Sequence, residues 1–250
     1  MRRRCASLVV ALPAAFAVLA CATAPVVWRP LVEGDPRPAR ELAGLRTLAA
    51  ERHALRATAK VGFEGPDGSG SSTQLLLVQR PASLRIEVLG LLQQRVLVLA
   101  TDGARYQLYR AESPGLETGD VHPGVLDEVA GLPLTPEAAA SLLLATPAPP
   151  DAPPAQARED ASGRLSLDWP DQTLDFDAAG RLIALAFHPD ARERLLARWD
   201  AWPDASASAF PHRLELELPE QRTHWTVEFR EVELDPALAP ELFRLQLGGR

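Results

Sequence analysis

The sequence predicts a mainly β (α+β) fold, with about eleven antiparallel strands in one curved sheet. We expect short helices to cover the concave side of this sheet. Residues 55–64 alternate between apolar and polar without exception, which is typical of a half-buried antiparallel strand. Similar short strands recur on both sides of one interruption, at about residues 125–146, where the apolar spacing becomes helical. Residues 75–78 and 96–99 are apolar at every position, so both faces of that part of the sheet should be covered.

Turn residues such as glycine, proline and aspartate separate the predicted strands. The strands are residues 55–64, 73–80, 84–89, 95–101, 105–110, 164–169, 173–177, 181–187, 192–199, 213–218 and 223–232. The alternation shifts phase near Arg230 and Glu231, which predicts a β-bulge there. One helix is expected over residues 41–51, a short one near 125–129, and another that begins at Thr135 and ends before Pro147.

The first 20 residues predict a lipoprotein signal peptide. Three arginines precede an apolar run over residues 8–19, which is shorter than the roughly 20 residues of a membrane-spanning helix. The run ends in Val18-Leu19-Ala20-Cys21, a pattern typical of a lipobox, so Cys21 is the predicted lipid attachment site. The alternatives are an ordinary secretory signal in which the cysteine is incidental, or a cut nearer Ala22-Thr23-Ala24. Cys5 lies in the segment removed, so Cys21 has no disulfide partner within one exported chain.

Prolines mark residues 21–40 as a tether, and residues 41–250 then form one folded domain. Removal of residues 1–20 takes away three arginines and no acidic residue, which leaves a formal net charge of −10. Such an acidic chain is a poor nucleic-acid binder, and anionic lipid does not attract it. Contact with a membrane should therefore come from the N-terminal lipid and from apolar side chains.

Nothing in the sequence favours catalysis. The five histidines are scattered, and no metalloprotease, Cys-His or nucleophile-elbow motif is present. Asp168, Asp171, Asp175 and Asp177 fall in one predicted hairpin, where alternating acids are typical of a solvated strand face. A calcium site is the alternative, but the spacing lacks a dedicated calcium-loop pattern. We predict no enzyme activity, no cofactor and no metal.

Two stretches carry a resemblance to a known family. The first comprises residues 79–86, beginning Gln79-Arg80-Pro81, then 98–103, which end in Asp102-Gly103, and 106–109. The second is Gly131-Leu132-Pro133-Leu134, followed by residues 142–144 and Pro147. They resemble the LolA/LolB-type half-barrel of lipoprotein carriers and receptors. Leu142 and Ala145 depart from the Trp and Gly that LolB often has, which weighs against close equivalence to LolB.

The resemblance implies a lipid-anchored protein of the outer membrane that faces the periplasm, and Ala22 after the cysteine agrees with that sorting. It implies lipoprotein acyl chains or other lipid as ligands, and a periplasmic LolA-like carrier as a partner. Leu91 and Leu92 match a protruding leucine that LolB uses for transfer into the membrane, and Arg80 matches an arginine that holds a lid closed. The predicted cavity lining comprises strand residues chosen by alternation, together with Leu142 of the predicted helix; the strand residues are Val61, Phe63, Leu75, Leu77, Ile86, Val88 and Leu108.

The sequence leaves four alternatives open. The candidate lining residues are equally compatible with a filled core that holds no cavity. Leu91 and Leu92 are also compatible with a turn that folds back and buries them. The chain as a whole is also compatible with a carrier of another amphiphile, or with a structural module of an envelope complex.

Overall fold

The computed structural model describes residues 26–190 and 193–245. The helices are α1 (Arg37–Glu51), α2 (Val125–Ala130) and α3 (Pro136–Leu143), with a 3-10 turn at Pro240–Phe243. The strands are β1 (Arg29–Pro30), β2 (Ala54–Gly65), β3 (Gly68–Gln79), β4 (Ser83–Leu89), β5 (Arg95–Thr101), β6 (Arg105–Arg110), β7 (Ser113–Asp120), β8 (Gln156–Glu159), β9 (Leu165–Asp168), β10 (Gln172–Phe176), β11 (Leu182–Asp190), β12 (Glu193–Asp200), β13 (Arg213–Leu218) and β14 (Thr223–Leu234).

All these strands form one antiparallel, curved and open sheet. Its order is β1-β8-β9-β10-β11-β12-β13-β14-β2-β3-β4-β5-β6-β7, so β1 and β7 are its edges. The first and second halves of the meander meet where β14 pairs with β2. The predicted fold class is confirmed, with 14 strands in the described residues where the sequence predicts about eleven.

Three of these strands are not predicted from the sequence, because their residues show little of the alternation or β-forming composition that indicates a strand. β1 has two residues and β8 has four. β7 contains proline and two glycines, which favour a loop, but pairing with β6 at the sheet edge stabilises it.

The concave face of the sheet is built from the apolar set of each alternating strand. Val61 pairs with Val227, which pairs with Leu214, so these side chains lie together on that face. The register between β14 and β2 shifts between Phe229 and Glu231, which confirms the predicted bulge. The shift moves the later residues of β14 into the opposite phase.

Helices α2 and α3 lie over this concave face. Thr135 caps α3, and its side chain accepts a hydrogen bond from the backbone N–H of Ala138 at 3.2 Å, as the sequence predicts. Gly131 ends α2 with a φ of 65°, a left-handed conformation that glycine adopts without strain. Leu126 and Leu142 are 3% exposed and belong to the same apolar cluster as the sheet residues.

The C-terminal segment covers part of the convex face. Leu238 and Phe243 pack with Ala54 in a second, smaller apolar cluster. The Arg85 guanidinium donates to the carbonyl of Leu242 at 2.8 Å. Leu77 packs against the same cluster, so the convex face of β3, where the sequence is apolar on both faces, is covered there as expected.

The N-terminal segment lies against the other end of the sheet. Arg29 and Pro30 pair with β8, and the guanidinium groups of Arg158 and Arg164 each lie 5.7 Å from the ring centroid of Trp28. Arg158 forms an ion pair with Asp168 at 2.7 Å.

The predicted tether over residues 21–40 is therefore too long. β1 lies within it, and α1 begins at Arg37 rather than at residue 41. Pro36 is the residue before the first turn of α1, and Pro38 lies in that turn, where a missing backbone N–H costs no hydrogen bond. The predicted signal peptide and Cys21 lie outside the described residues.

Candidate functional site

A cavity of about 250 Å³ lies between the concave face of the sheet and the helices α2 and α3. Its wall is almost entirely apolar, with the side chain of Gln74 as an exception. The sheet contributes Val61, Leu76, Ile86, Val88, Leu97, Leu99, Leu214, Leu216, Trp225 and Val227, and the helical region contributes Leu126, Val129, Leu132, Leu134 and Leu142. Such a space suits an unbranched apolar group better than a polar ligand.

Other hollows in the described structure have charged walls. One, between α1 and residues 207–209, is lined by Glu41, Glu51 and Arg52 among others. Another, on the convex face, is lined by Glu87 and Arg95 among others. The cavity under α2 and α3 is therefore the candidate site for an apolar ligand.

Four of the eight predicted lining residues line this cavity: Val61, Ile86, Val88 and Leu142. Phe63 lies on the same face one pleat further along β2, where its ring packs against that of Trp225 with centroids 4.6 Å apart. Leu108 also lies on the concave face, as the partner of Leu99, but it is 1% exposed and fills the core instead of lining the cavity.

The prediction that Leu75 and Leu77 line the cavity is wrong. Leu76 pairs with Ile86 and faces the cavity, so its two neighbours point to the convex face. A one-residue change of phase moves every side chain of a strand to the other face, and the four consecutive apolar residues 75–78 carry no alternation to set that phase. The pairing of β3 with the neighbouring strands decides it.

Sequence reasoning also missed Leu76, Leu97, Leu99 and the residues of β13 and β14 that line the cavity. Trp225 and Val227 alternate within a correctly predicted strand, so their shared face was visible in the sequence. Their position opposite β4 and β5 was not visible, because β14 meets β2 only in the folded sheet.

Arg80 forms hydrogen bonds with α3 and with Thr146 beyond it, and so links both to the sheet. Its Nη2 donates to the carbonyl of Thr146 at 2.7 Å and to the Thr146 hydroxyl at 2.5 Å, and its Nη1 to the Ser141 hydroxyl at 3.4 Å. Burial lowers the pKa of Arg80 below its ordinary value. These hydrogen bonds link the end of β3 to the helical segment that lies over the cavity.

A second arginine, Arg52, contacts the same region and has no sequence signal of its own. Its Nη1 donates to the carbonyl of Leu144 at 2.8 Å, and its Nη2 to the carbonyls of Ser208 at 3.1 Å and Ala209 at 3.4 Å. The residue is 3% exposed, and its guanidinium lies 5.2 Å from the ring centroid of Phe210. Burial lowers the pKa of Arg52 to about 10, so the side chain stays charged at neutral pH.

Leu91 and Leu92 project from the turn between β4 and β5, with exposures of 101% and 87%. The turn is closed beneath them, because the Gly90 N–H donates to the Gln94 carbonyl at 2.8 Å. The Gln94 side chain accepts from the Leu92 N–H at 3.0 Å. The alternative in which this turn folds back and buries both leucines is therefore wrong.

The two leucines lie near one end of the cavity. Val88 and Leu97 pair with each other, both line the cavity, and the chain between them forms the turn that carries Leu91 and Leu92. The most exposed apolar side chains of the described structure thus adjoin the site for an apolar ligand.

Neither a metal site nor a spanning helix is found in residues 26–190 and 193–245. No group of three or more His, Cys, Asp or Glu side chains there is arranged to hold a metal ion. No helix there has the length and apolar character needed to cross a membrane. Asp175 of the predicted acidic hairpin is paired with Arg164 at 3.5 Å, and Asp168 with Arg158.

No family model and no curated protein matches the sequence. Solved structures do match the fold. A LolA superfamily protein from Nitrosomonas europaea aligns with a TM-score of 0.54 at 10% identity, over 83% of this chain and 97% of its own. An outer membrane lipoprotein-sorting protein domain from Vibrio parahaemolyticus aligns with a TM-score of 0.50, also at 10% identity and with the same coverage. The chain therefore has the fold of the LolA superfamily.

Proposed function

We propose that this protein is a membrane-anchored lipoprotein that binds acyl chains in its half-barrel cavity and acts in the localisation or insertion of lipoproteins at the outer membrane. The observation that carries the proposal is the apolar cavity beneath α2 and α3. Burial of apolar surface is the main favourable term for binding an alkyl chain, and this wall presents little else. Two solved structures with the same fold are described as LolA-superfamily and lipoprotein-sorting proteins, which supports this ligand class.

The exposed leucines support delivery to a bilayer. A fully exposed pair of leucines is costly in water unless a partner covers it, and a lipid interface is a suitable partner. Because Leu91 and Leu92 adjoin the cavity residues Val88 and Leu97, a chain that leaves the cavity there enters the membrane directly. In this proposal the acyl chain does not cross open water.

The anchor completes the proposal. Acylation of Cys21 holds the domain at the membrane, and Ala22 favours the outer membrane. Trp28 and β1 lie against the sheet, so seven residues link the proposed lipid attachment site Cys21 to the folded domain. Seven residues span at most about 25 Å, so the domain stays close to the bilayer surface.

The test is native mass spectrometry, with lipid extraction, of a soluble version that begins at Ala22. Bound acyl species are expected in the wild type and should be reduced in Val88→Phe, which places a ring in the cavity. Leu75→Phe is the matched control, because Leu75 lies on the neighbouring strand but faces the opposite side of the sheet. Retention of lipid in both variants would place the ligand elsewhere. A wild type that is empty and takes up no lipid would overturn the proposal and favour a structural module, whereas a different extracted amphiphile would favour another carrier role.

A further inference from the structure

The polar contacts that hold the lid are concentrated at one end of it. The lid is defined here as residues 122–146, which include α2 and α3 and cover the cavity. Besides Arg80, two buried side chains bind its C-terminal end. Arg52 donates to the Leu144 carbonyl at 2.8 Å, and the indole N–H of Trp199 donates to the Leu142 carbonyl at 3.2 Å. These carbonyls end α3, where a positive charge is favoured by the helix dipole.

The N-terminal part of the lid, residues 122–140, lacks such polar contacts with the sheet in the described structure. Among the described residues, no hydrogen bond or ion pair joins residues 122–140 to the sheet; the ion pair of His122 with Glu128 lies within the segment. This part meets the sheet through the packing of apolar side chains, including Leu126, Val129 and Leu132, and through an edge-on contact between the rings of His122 and Tyr106, whose centroids are 6.4 Å apart. Apolar contact is non-directional, so it tolerates sliding and tilting better than hydrogen bonds do.

We propose that Arg52 and Trp199 are positioning residues that fix the C-terminal end of α3 as a pivot, so that the cavity opens by displacement of α2 and residues 131–135. This inference rests on the proposed function, because it assumes that the cavity admits a ligand. Displacement of α2 carries Leu126 and Val129 away from the sheet and uncovers the sheet side of the cavity, without breaking a hydrogen bond to the sheet.

Opening at the C-terminal end of α3 is disfavoured by the hydrogen bonds of Arg52. Its guanidinium also binds the carbonyls of Ser208 and Ala209, which belong to the long loop between β12 and β13. Movement of Leu144 away from Arg52 leaves one carbonyl and part of a buried charge without a partner. Trp199 is 2% exposed, so its indole cannot follow the helix without opening the core.

Distances between pairs of spin labels test the pivot. Cys5 and Cys21 are the only cysteines, so a soluble version that begins at Ala22 has none, and introduced cysteines are labelled uniquely. One pair joins Lys60→Cys on the sheet to Glu128→Cys on α2, and the other joins Lys60→Cys to Ala148→Cys beyond α3. All three positions are exposed. On addition of a dansyl-labelled fatty acid, the first distance should change by about 5 Å, one helical turn, and the second should stay constant.

Variants separate positioning from general stability. Arg52→Met removes the hydrogen bonds to the Leu144, Ser208 and Ala209 carbonyls, and Trp199→Phe removes the one to the Leu142 carbonyl. Both variants should broaden the distribution of distances between the labels at positions 60 and 148. Arg56→Met is the matched control, because Arg56 is an exposed arginine of β2 that pairs with Glu233 far from the lid. It should leave both distributions unchanged. Thermal unfolding of each variant distinguishes a loosened lid from a loosened fold.

The outcomes distinguish this inference from the proposed function. If the probe binds but Ala148 moves as much as Glu128, or if neither Arg52→Met nor Trp199→Phe broadens the second distribution, the pivot is wrong and acyl binding stands. If no probe binds, the proposed function fails. Hydrogen exchange of the unliganded protein then still decides the pivot, which requires faster exchange in residues 125–135 than in residues 141–146.

Discussion

Replacement of the two exposed leucines by acids should weaken membrane binding without affecting the fold. Leu91 and Leu92 make almost no contact with the rest of the protein, since their exposures are 101% and 87%. Full burial of a leucine side chain contributes about 1.5–3 kcal/mol. If each leucine contributes the lower value at a shallow interface, the pair contributes about 3 kcal/mol, or roughly a hundredfold in the vesicle partition coefficient. Leu91→Glu with Leu92→Glu should lose at least that factor.

The measurement is co-sedimentation of the soluble version that begins at Ala22 with phosphatidylcholine vesicles. Without the anchor, the side chains alone set the partition coefficient. Gln93→Glu is the matched control, because it adds a carboxylate to the same turn and removes no leucine. Leu91→Ser with Leu92→Ser removes the apolar surface without adding charge. Equal partition of the wild type and the serine variant would refute the reasoning, and an equal loss in Gln93→Glu would show that charge, not apolar burial, is the cause.

Three further predictions concern stability. Burial raises the pKa of the Asp175 carboxyl above its ordinary value of 3.8. The free energy of unfolding should therefore fall as pH rises from 3.8 through the raised pKa, because the folded state then loses a proton that it binds more tightly than the unfolded state does. In Asp175→Asn, urea unfolding between about pH 4 and pH 7 should show a weaker dependence of this free energy on pH. Trp28→Ala removes the ring beside Arg158 and Arg164 and should cost about 1–2 kcal/mol in the same assay, with faster hydrogen exchange in residues 26–31. Leu99→Ala, at a site 2% exposed, should cost about 2–5 kcal/mol and enlarge the cavity, and an unchanged melting temperature would contradict its place in the core.

Alternation and turn chemistry were enough to predict most of the sheet. The strict period of β2 and the bulge in β14 are local properties, as is the Thr135 cap of α3, and all three appear in the structure. The predicted start of α1 at residue 41 is wrong, because the prolines that suggest an extended tether are also compatible with the first turn of a helix. β7 is not predicted, because pairing with β6 stabilises this edge strand although its own sequence has a low β propensity.

By itself the sequence determined which residues are apolar, where the chain turns, and that one curved sheet results. It did not determine which face the run 75–78 presents, because consecutive apolar residues have no phase until a neighbouring strand sets the register. Only the tertiary structure placed Trp225 beside the cavity, exposed Leu91 and Leu92, and brought Arg52 to the end of α3. These are contacts between residues far apart in the chain, and their energies depend on burial and on partners that the local sequence does not contain.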